Sequence, residues 1–422
     1  MDKKDLGTSI RGSKTIILNI QNADYSLFLE DIFFAKKIIE KAVAEDIHEK
    51  IFPKGTAEAG FQFKGFERLS KKQNVKKRRI EIGGIIYRIH PAFILSYMRG
   101  KVDDVRWALF IMRFGVPFWA IALVFGRNHM YWYRLWLDIG KNSIVGTTIF
   151  SSKELPENLL GDEEHTKIKG IKGYIATTVA KGCLLGVSVV LEASADCLCK
   201  GYRTARDEIL NVNSNHKVKT INTDGWSATQ TALKVLYKGT TIIQCFLHGF
   251  IKVRHRKTKK QSSEFNTAAE KIWDAYGAES IASFSQRIRR LKEWAVLNLQ
   301  DTPMKDNILN LCGKVDKWKV FYKFPESYRT SNMLDRIMKL MKRRIKNAQY
   351  FHSSPEQATL YMRGFALVHN FSPSNPWTVK KHGGLASPAA RLNKFVYSDD
   401  WCINLMIATS LRGYRVEVRN PL

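Results

Sequence analysis

The 422-residue sequence predicts a mixed α/β protein, and three observations carry that prediction. Between about 155 and 250, short apolar runs of strand character alternate with helix-patterned segments. Helical stretches rich in aromatic residues flank this region, at 100–140 and from 250 to past 340. A hydrophobic content of 45%, with ten Trp and 23 Phe, is that of a chain that folds around cores and excludes a disordered one. The length accommodates two or three domains. The pattern divides into 1–75, a helical and basic region; 76–150, three short helices; 151–249, the strand-rich region; 250–325, a helical insertion; and 326–422, a long helix and further helices.

Taken in order, "YSLFLEDIFFAKKIIEKAVAEDIHEKIF" predicts a helix that Pro53-Lys54-Gly55 ends. The basic run Lys76, Lys77, Arg78 and Arg79 follows, leading into an apolar strand-like piece broken at Gly83-Gly84. That run is either a solvated face or a contact for phosphate, and its composition favours neither. "VDDVRWALFIMRF", "FWAIALVFG" and "MYWYRLWLDIG" are three helices with tight turns. Asp103 or Asp104 can cap the first, and Gly115 with Pro117 sets the first break. The layout is that of a helix-turn-helix, whose last helix would present Tyr131 and Arg134 to a major groove; a plain three-helix bundle has the same pattern. Trp107–Phe125 is the one stretch apolar enough to resemble a membrane span, but Arg113 and the Gly115-Val116-Pro117 turn divide it into pieces too short to cross, which read as two buried helices.

Next come "NLLGDEEH", then "GYIATTVA" and "CLLGVSVVL" joined through Lys181-Gly182 as a hairpin. A helix over 194–211, the strand "HKVKTINTD", the helix "WSATQTALKVLY" and the strand "TTIIQCFL" complete the order β-β-β-α-β-α-β. Trp273, Trp294 and Trp318 are expected to anchor the helical insertion. The last long helix begins near 332. Three hairpin-joined strands followed by alternating helices and strands is the order of an RNase H-like core.

Charge points to the partner. Sixty-eight Lys and Arg against 39 Asp and Glu leave a net charge of +29, and such self-repulsion is natural in a chain that binds a polyanion. The excess is spread along most of the chain, which favours nucleic acid over a membrane surface. Six scattered cysteines and a polar start, Met-Asp-Lys-Lys, predict a reducing cytosol with no secretory leader, no disulfide framework and no zinc finger.

In the RNase H-like order, acids at the ends of the first and fourth strands lie side by side and a late helix adds a third. Crowded carboxylates repel, so they are stable where a divalent cation neutralises them; Mg²⁺ suits oxygen ligands and keeps waters for phosphate. Two such ions about 4 Å apart serve phosphodiester chemistry. The first candidate is Asp162, with Glu163 and Glu164 as rivals, Glu164 sharing its face by strand alternation. The second is Asp224, which equally suits an N-cap of the following helix. The third is Asp335, placed beside the apolar stripe Leu334, Ile337, Met338, Met341 and Ile345. Lys339, Lys342 and Lys346, with Arg343, form a basic ridge on the same helix; a first-turn cap and an ordinary Asp335–Lys339 pair explain that acid as well.

These stretches together resemble the DDE/D transposases of bacterial insertion sequences, in the Mutator-like group with a C/D-x-x-H signature. The matching segments are "GDEEHTKIKG", "YIATTVA", "NTDGWSATQ", "IIQCFLHGFIKVR" and "RTSNMLDR", with "FGVPFWAIALVFGRNHMYWYRL" upstream and "RLNKFVYSDDWCINLMIATSLRGYR" downstream. The likeness covers about residues 75–415. It implies an RNase H-like catalytic core interrupted by a helical insertion, with Asp162, Asp224 and Asp335 as catalytic metal ligands for two Mg²⁺, for which Mn²⁺ can substitute. It places Cys245 and His248 at the end of the fifth strand beside the site, His248 supporting the chemistry or touching DNA and Cys245 packing. Many relatives carry Glu where this chain has Asp335, so its helix must sit closer to the metal. Implied partners are double-stranded DNA, as terminal inverted repeats and target, and a second copy of the chain. The basic insertion, with Arg254 and Arg256, and the late helix would clamp phosphates. The implied location is the cytoplasm of a bacterium, at the nucleoid.

Overall fold

A computed structural model describes residues 10–11, 14–69, 73–96, 98–411 and 413–416. The expectation about the N-terminal leader lies outside the described residues. The fold is mixed α/β, with two principal sheets among many helices. Contacts divide the chain into two units: one holds the residues up to Pro156, Glu163–His216 and the chain from Ile337 onward; the other holds Glu157–Asp162 and Lys217–Arg336.

In the first unit, the N-terminal region carries more strand than its sequence predicts. β1 (Thr15–Leu18), β2 (Gln62–Phe66), β3 (Arg78–Ile82) and β4 (Ile85–Pro91) form a sheet in the order β1-β4-β3-β2, so the expected boundary at 75 falls inside one sheet. The predicted long helix is two, Tyr25–Glu30 and Ile32–Glu45. Asp31 divides them because its carboxylate accepts the amides of Phe33 and Phe34, at 2.7 and 3.1 Å, and so caps the second.

The basic run is corrected by this sheet. Arg78, 5% exposed, lies on β3, where its guanidinium donates to the carbonyls of Phe28 and Leu29 and lies over the Phe63 and Phe66 rings. Lys77 is 7% exposed and donates to Gln73. Strand alternation turns Arg78, Ile80 and Ile82 inward, and the cation is accommodated because carbonyls and ring faces replace its water. Lys77 and Arg78 therefore support this sheet and do not face a phosphate backbone. Lys76 is exposed and Arg79 half-buried.

The three helices of 100–140 form where expected: α1 (Arg106–Met112), α2 (Phe118–Phe125) and α3 (His129–Gly140). Val105 precedes α1 without a side-chain cap; Asp103 pairs with Arg106 and Asp104 with Arg127. α3 is not free to enter a groove along its length. Trp132, Leu135, Trp136 and Ile139 are buried, Trp136 Nε1 donates to the Tyr361 carbonyl, and Gly140 touches the backbone of the helix Pro355–Phe371. Tyr131 donates its hydroxyl to the Arg99 carbonyl, whereas Arg134 is exposed. The expectation of two buried helices in Trp107–Phe125 is also corrected: Trp119, Leu123 and Val124 are 67–80% exposed, and α2 fully buries only Ile121. Among the described residues no helix is long and apolar enough to cross a membrane.

The strand-rich region follows the predicted succession: β5 (Asn158–Ile168), β6 (Ile171–Ala180), β7 (Cys183–Val190), α4 (Ala195–Val212), β8 (Thr220–Thr223), α5 (Ser227–Leu236) and β9 (Thr241–Gln244). The hydrogen-bonded order is β9-β8-β5-β6-β7, with β8 parallel to both β5 and β9, and β6 antiparallel to β7. Lys169-Gly170 and Lys181-Gly182, all four at positive φ, make the two hairpin turns, and this left-handed pair suits the right-handed twist of the strands they join. β5 belongs to the second unit up to Asp162 and to the first from Glu163.

In the second unit, α6 (Phe246–His255) leads into a helical body made by Ser262–Tyr276, Ile281–Asn298, Pro303–Gly313 and Val315–Lys319. Phe246, Phe284, Ile288, Leu291, Trp318 and Phe321 belong to its core, with Trp273 and Trp294 packed against it half-buried. The insertion thus has a core of its own. Chain order then returns through α7 (Asn332–Asn347), whose predicted stripe, Leu334, Ile337, Met338, Met341 and Ile345, is buried throughout.

Candidate metal centre

The site lies entirely in the second unit, where three chain segments bring polar side chains together. β5 delivers Asp162 after the buried Leu159, Leu160 and Gly161. β8 stops at Thr223, whose carbonyl accepts the Cys245 amide at 2.8 Å. β9 stops at Gln244, and Cys245, fully buried, becomes the N-cap of α6. His248 therefore stands in the first turn of a helix and not on the strand end that its sequence position predicts. Phe246 drives the placement. Its ring is 0% exposed among Trp273, Tyr276, Phe284 and Trp318, and His248, two residues on and roughly 200° round the helix, is turned away from that core.

Asp335 enters in the first turn of α7, where its amide donates to the Ser331 carbonyl at 2.9 Å and a carboxylate suits the positive end of the helix. Ser331, which was not among the predicted site residues, fixes this carboxylate. It is 1% exposed; its hydroxyl donates to Asp335 Oδ2 at 3.0 Å and lies 3.3 Å from Cys245 Sγ, which in turn accepts the Ser331 amide at 3.3 Å. Cys245 therefore ties the end of β9 to the start of α7. The signal was the short interval Ser331–Asp335, one helical turn in "TSNMLD", but nothing in the spacing shows which partner the hydroxyl takes.

One ligand atom from each of Asp162, His248 and Asp335 lies within 4.8 Å of the other two. All three residues are half-buried, so the group is reachable from solvent yet partly shielded. Two carboxylates and an imidazole at that spacing fit the donor set of a divalent cation. It is the single such group of three or more His, Cys, Asp and Glu found among the described residues.

The electrostatics match a centre that holds positive charge. The polar contact with Cys245 raises His248 to about 9 against the opposing effect of burial, and the charges of Asp162 and Asp335 add to it. Burial pushes the Cys245 thiol up, yet the His248 ring and Ser331 hydroxyl outweigh burial and leave it below its ordinary value. Without a cation, imidazolium is thus the local counter-charge to the two carboxylates.

Asp224 does not belong to this group. Its Oδ1 accepts the amide of Trp226 at 2.8 Å in a tight turn ahead of α5; Trp226, and not Asp224, is the N-cap of that helix, and the Asp224 carbonyl accepts Gln230 Nε2. The rivals of Asp162 have other partners: Glu163 accepts the Tyr202 hydroxyl at 2.7 Å, and Glu164 pairs with Lys342 at 3.0 Å. Of the other expected phosphate contacts, Arg254 and Arg256 are exposed around the end of α6, and Lys339, Lys342, Arg343 and Lys346 are exposed along α7. Among the described residues the Asp335 carboxylate is met by the Ser331 hydroxyl, while Lys339 is exposed. A comparison with models of protein families finds no match, and a search of curated proteins finds none.

Proposed function

We propose that this chain is a DNA transposase of the DDE/D type, cutting at the ends of a mobile element and joining the freed ends to target DNA. The observation that carries the reading is the meeting of Asp162 and Asp335, distant in sequence, with His248 within 4.8 Å. The strand order β7-β6-β5-β8-β9, which is the 3-2-1-4-5 of an RNase H-like sheet, supports it, as do the net charge of +29 and the exposed basic residues of α6 and α7.

Within this reading each residue has a defined task. Asp162, His248 and Asp335 would hold a divalent cation, Mg²⁺ or Mn²⁺. When bound it supplies Lewis-acid polarisation of a phosphodiester and a lowered pKa for its water. Ser331 keeps the Asp335 carboxylate in one orientation, so little reorganisation is needed when DNA arrives. Arg254 and Arg256, and Lys339, Lys342, Arg343 and Lys346, supply screened, sequence-independent attraction to the phosphate backbone. A two-ion centre requires the Asp224 carboxylate to give up the Trp226 amide and turn to the pair. Two element ends must be held together, so the working form we propose is a dimer or larger.

The test is cleavage of linear DNA carrying the element's ends, with Mg²⁺ or Mn²⁺, by the full chain and by D162N and D224N. The Asn side-chain oxygen can accept the same Trp226 amide and close the same turn, so D224N should keep its fold within about 0.5 kcal/mol. Loss of cutting with DNA binding retained in both variants is the expected result. Binding without cutting by the parent chain identifies a DNA-binding descendant of such an enzyme. Cutting of branched DNA without preference for the ends identifies a structure-selective nuclease.

A further inference from the structure

We propose that the centre formed by Asp162, His248 and Asp335 binds its cation through the imidazole as well as the carboxylates, and therefore selects a transition-metal dication such as Mn²⁺ over Mg²⁺. This deepens the metal-dependent reading above and rests on it for the presence of a cation. Three observations support it. One ligand atom of the ring lies within the same 4.8 Å as the carboxylate oxygens, a spacing at which His248 can serve as a third ligand. His248 Nδ1 is shielded from solvent and makes no hydrogen bond, an orphaned polar atom that a metal bond or a bound water would satisfy. Both neighbours that could hold the ring and carboxylate in place are themselves fixed: Cys245 is fully buried, and Ser331 donates to Asp335 Oδ2.

The chemistry follows from the donor set. Mg²⁺ demands near-octahedral oxygen ligation and gives up water reluctantly, so an imidazole nitrogen in its first sphere is a poor ligand. A first-row transition ion accepts nitrogen and carboxylate together, and among them Mn²⁺ best tolerates an oxygen-rich remainder of water and phosphate. Three protein ligands leave that remainder open. The turn closed by Asp224 is also accommodated: with His248 as the third ligand, the first ion needs no contribution from the end of β8.

The measurement is Mn²⁺ binding to the full metal-free chain, followed by electron paramagnetic resonance, with Mg²⁺ as competitor and no DNA present. Wild type should bind Mn²⁺ at least about tenfold more tightly than Mg²⁺ competes for it, and pulsed spectra should show a directly coupled nitrogen-14. His248→Ala and His248→Gln should abolish that coupling and lower the preference for Mn²⁺ by about tenfold, with the circular dichroism of the chain unchanged. Bound Mn²⁺ without nitrogen coupling in wild type overturns the proposal, and so does equal competition by Mg²⁺ or the absence of Mn²⁺ binding. Because no cutting is measured, the two readings fail separately. A nitrogen-coupled centre in a chain that never cuts DNA removes the transposase reading alone; cutting by a chain without that coupling removes this inference alone.

Discussion

At the scale of single residues, the site turns on side chains of different legibility. Asp162 and Asp335 could be singled out because acids at a strand end and in the first turn of a basic helix are chemically conspicuous. Their separation from Glu163 and Glu164 was not legible, since Tyr202 and Lys342, which take those two carboxylates, lie far away in sequence. Asp224 could be read as a cap or as a ligand, and it is neither here: the helix is capped at Trp226, and the Asp224 carboxylate closes the turn before it by accepting the Trp226 amide. Ser331 shows what local pattern cannot supply, because its partners belong to two different elements. Replacing it with alanine removes a buried hydroxyl from between Cys245 Sγ and Asp335 Oδ2. The Ser331→Ala variant should lose about 1–2 kcal/mol of stability, read as a lower urea midpoint at unchanged slope. An unchanged midpoint would show that water replaces the hydroxyl and that Asp335 is held by the helix alone.

At the scale of elements, periodicity located the helices and strands between about 155 and 250 and the long helix from 332, and the second hairpin was legible because Lys181-Gly182 breaks an alternating run. What periodicity could not show was which face of α3 is free. Its aromatic residues suit a groove-reading helix as well as a packed one, and the decision lies in small residues on both sides of the contact. A Cβ added at Gly364 would stand 2.4 Å from the Trp136 carbonyl oxygen, and one at Gly140 would stand 2.0 Å from the Leu360 carbonyl oxygen. The two helices therefore meet backbone to backbone. Arg344 seals the contact, its guanidinium 3.9 Å from the Trp136 ring centroid, while Arg363 donates to the Gly140 carbonyl and to Glu208. Gly364→Ala should cost about 3 kcal/mol by forcing the helices apart, measured by urea unfolding. A cost under about 0.5 kcal/mol would mean that α3 can leave this helix, and would restore it as a candidate groove reader. The basic run at 76–79 was misread for a related reason. Charge marks it as exterior, whereas strand alternation and three ring faces bring Arg78 inside.

At the scale of the whole molecule, buried histidines give stability a two-sided dependence on pH. His90 and His369 are 2% and 6% exposed, and each is carried down to about 3. Burial is the main cause for both, with the charge of Lys77 adding at His90 and that of Arg113 at His369, against hydrogen bonds to the carbonyls of Ile94 and Gly182. The unfolded chain protonates these rings near 6.5 and the folded chain does not until about 3, so acid favours unfolding across that window. Each ring should contribute a loss of about 1.4 kcal/mol per pH unit below 6.5, or about 4 kcal/mol for the pair between pH 6.5 and 5. Above 6.5 neither contributes a slope. His248 in the metal-free chain acts in the opposite sense, since its folded value of about 9 lies above the unfolded one; its stabilisation is complete below 6.5 and fades as pH rises through 9. The metal-free protein should therefore be most stable near pH 6.5–7, with urea midpoints falling on both sides. His369→Gln, which keeps an amide able to reach the Gly182 carbonyl, should remove about half of the acid-side slope and leave the alkaline side unchanged. His248→Ala should do the reverse, and a single variant flattening both limbs would show that the two effects share one cause.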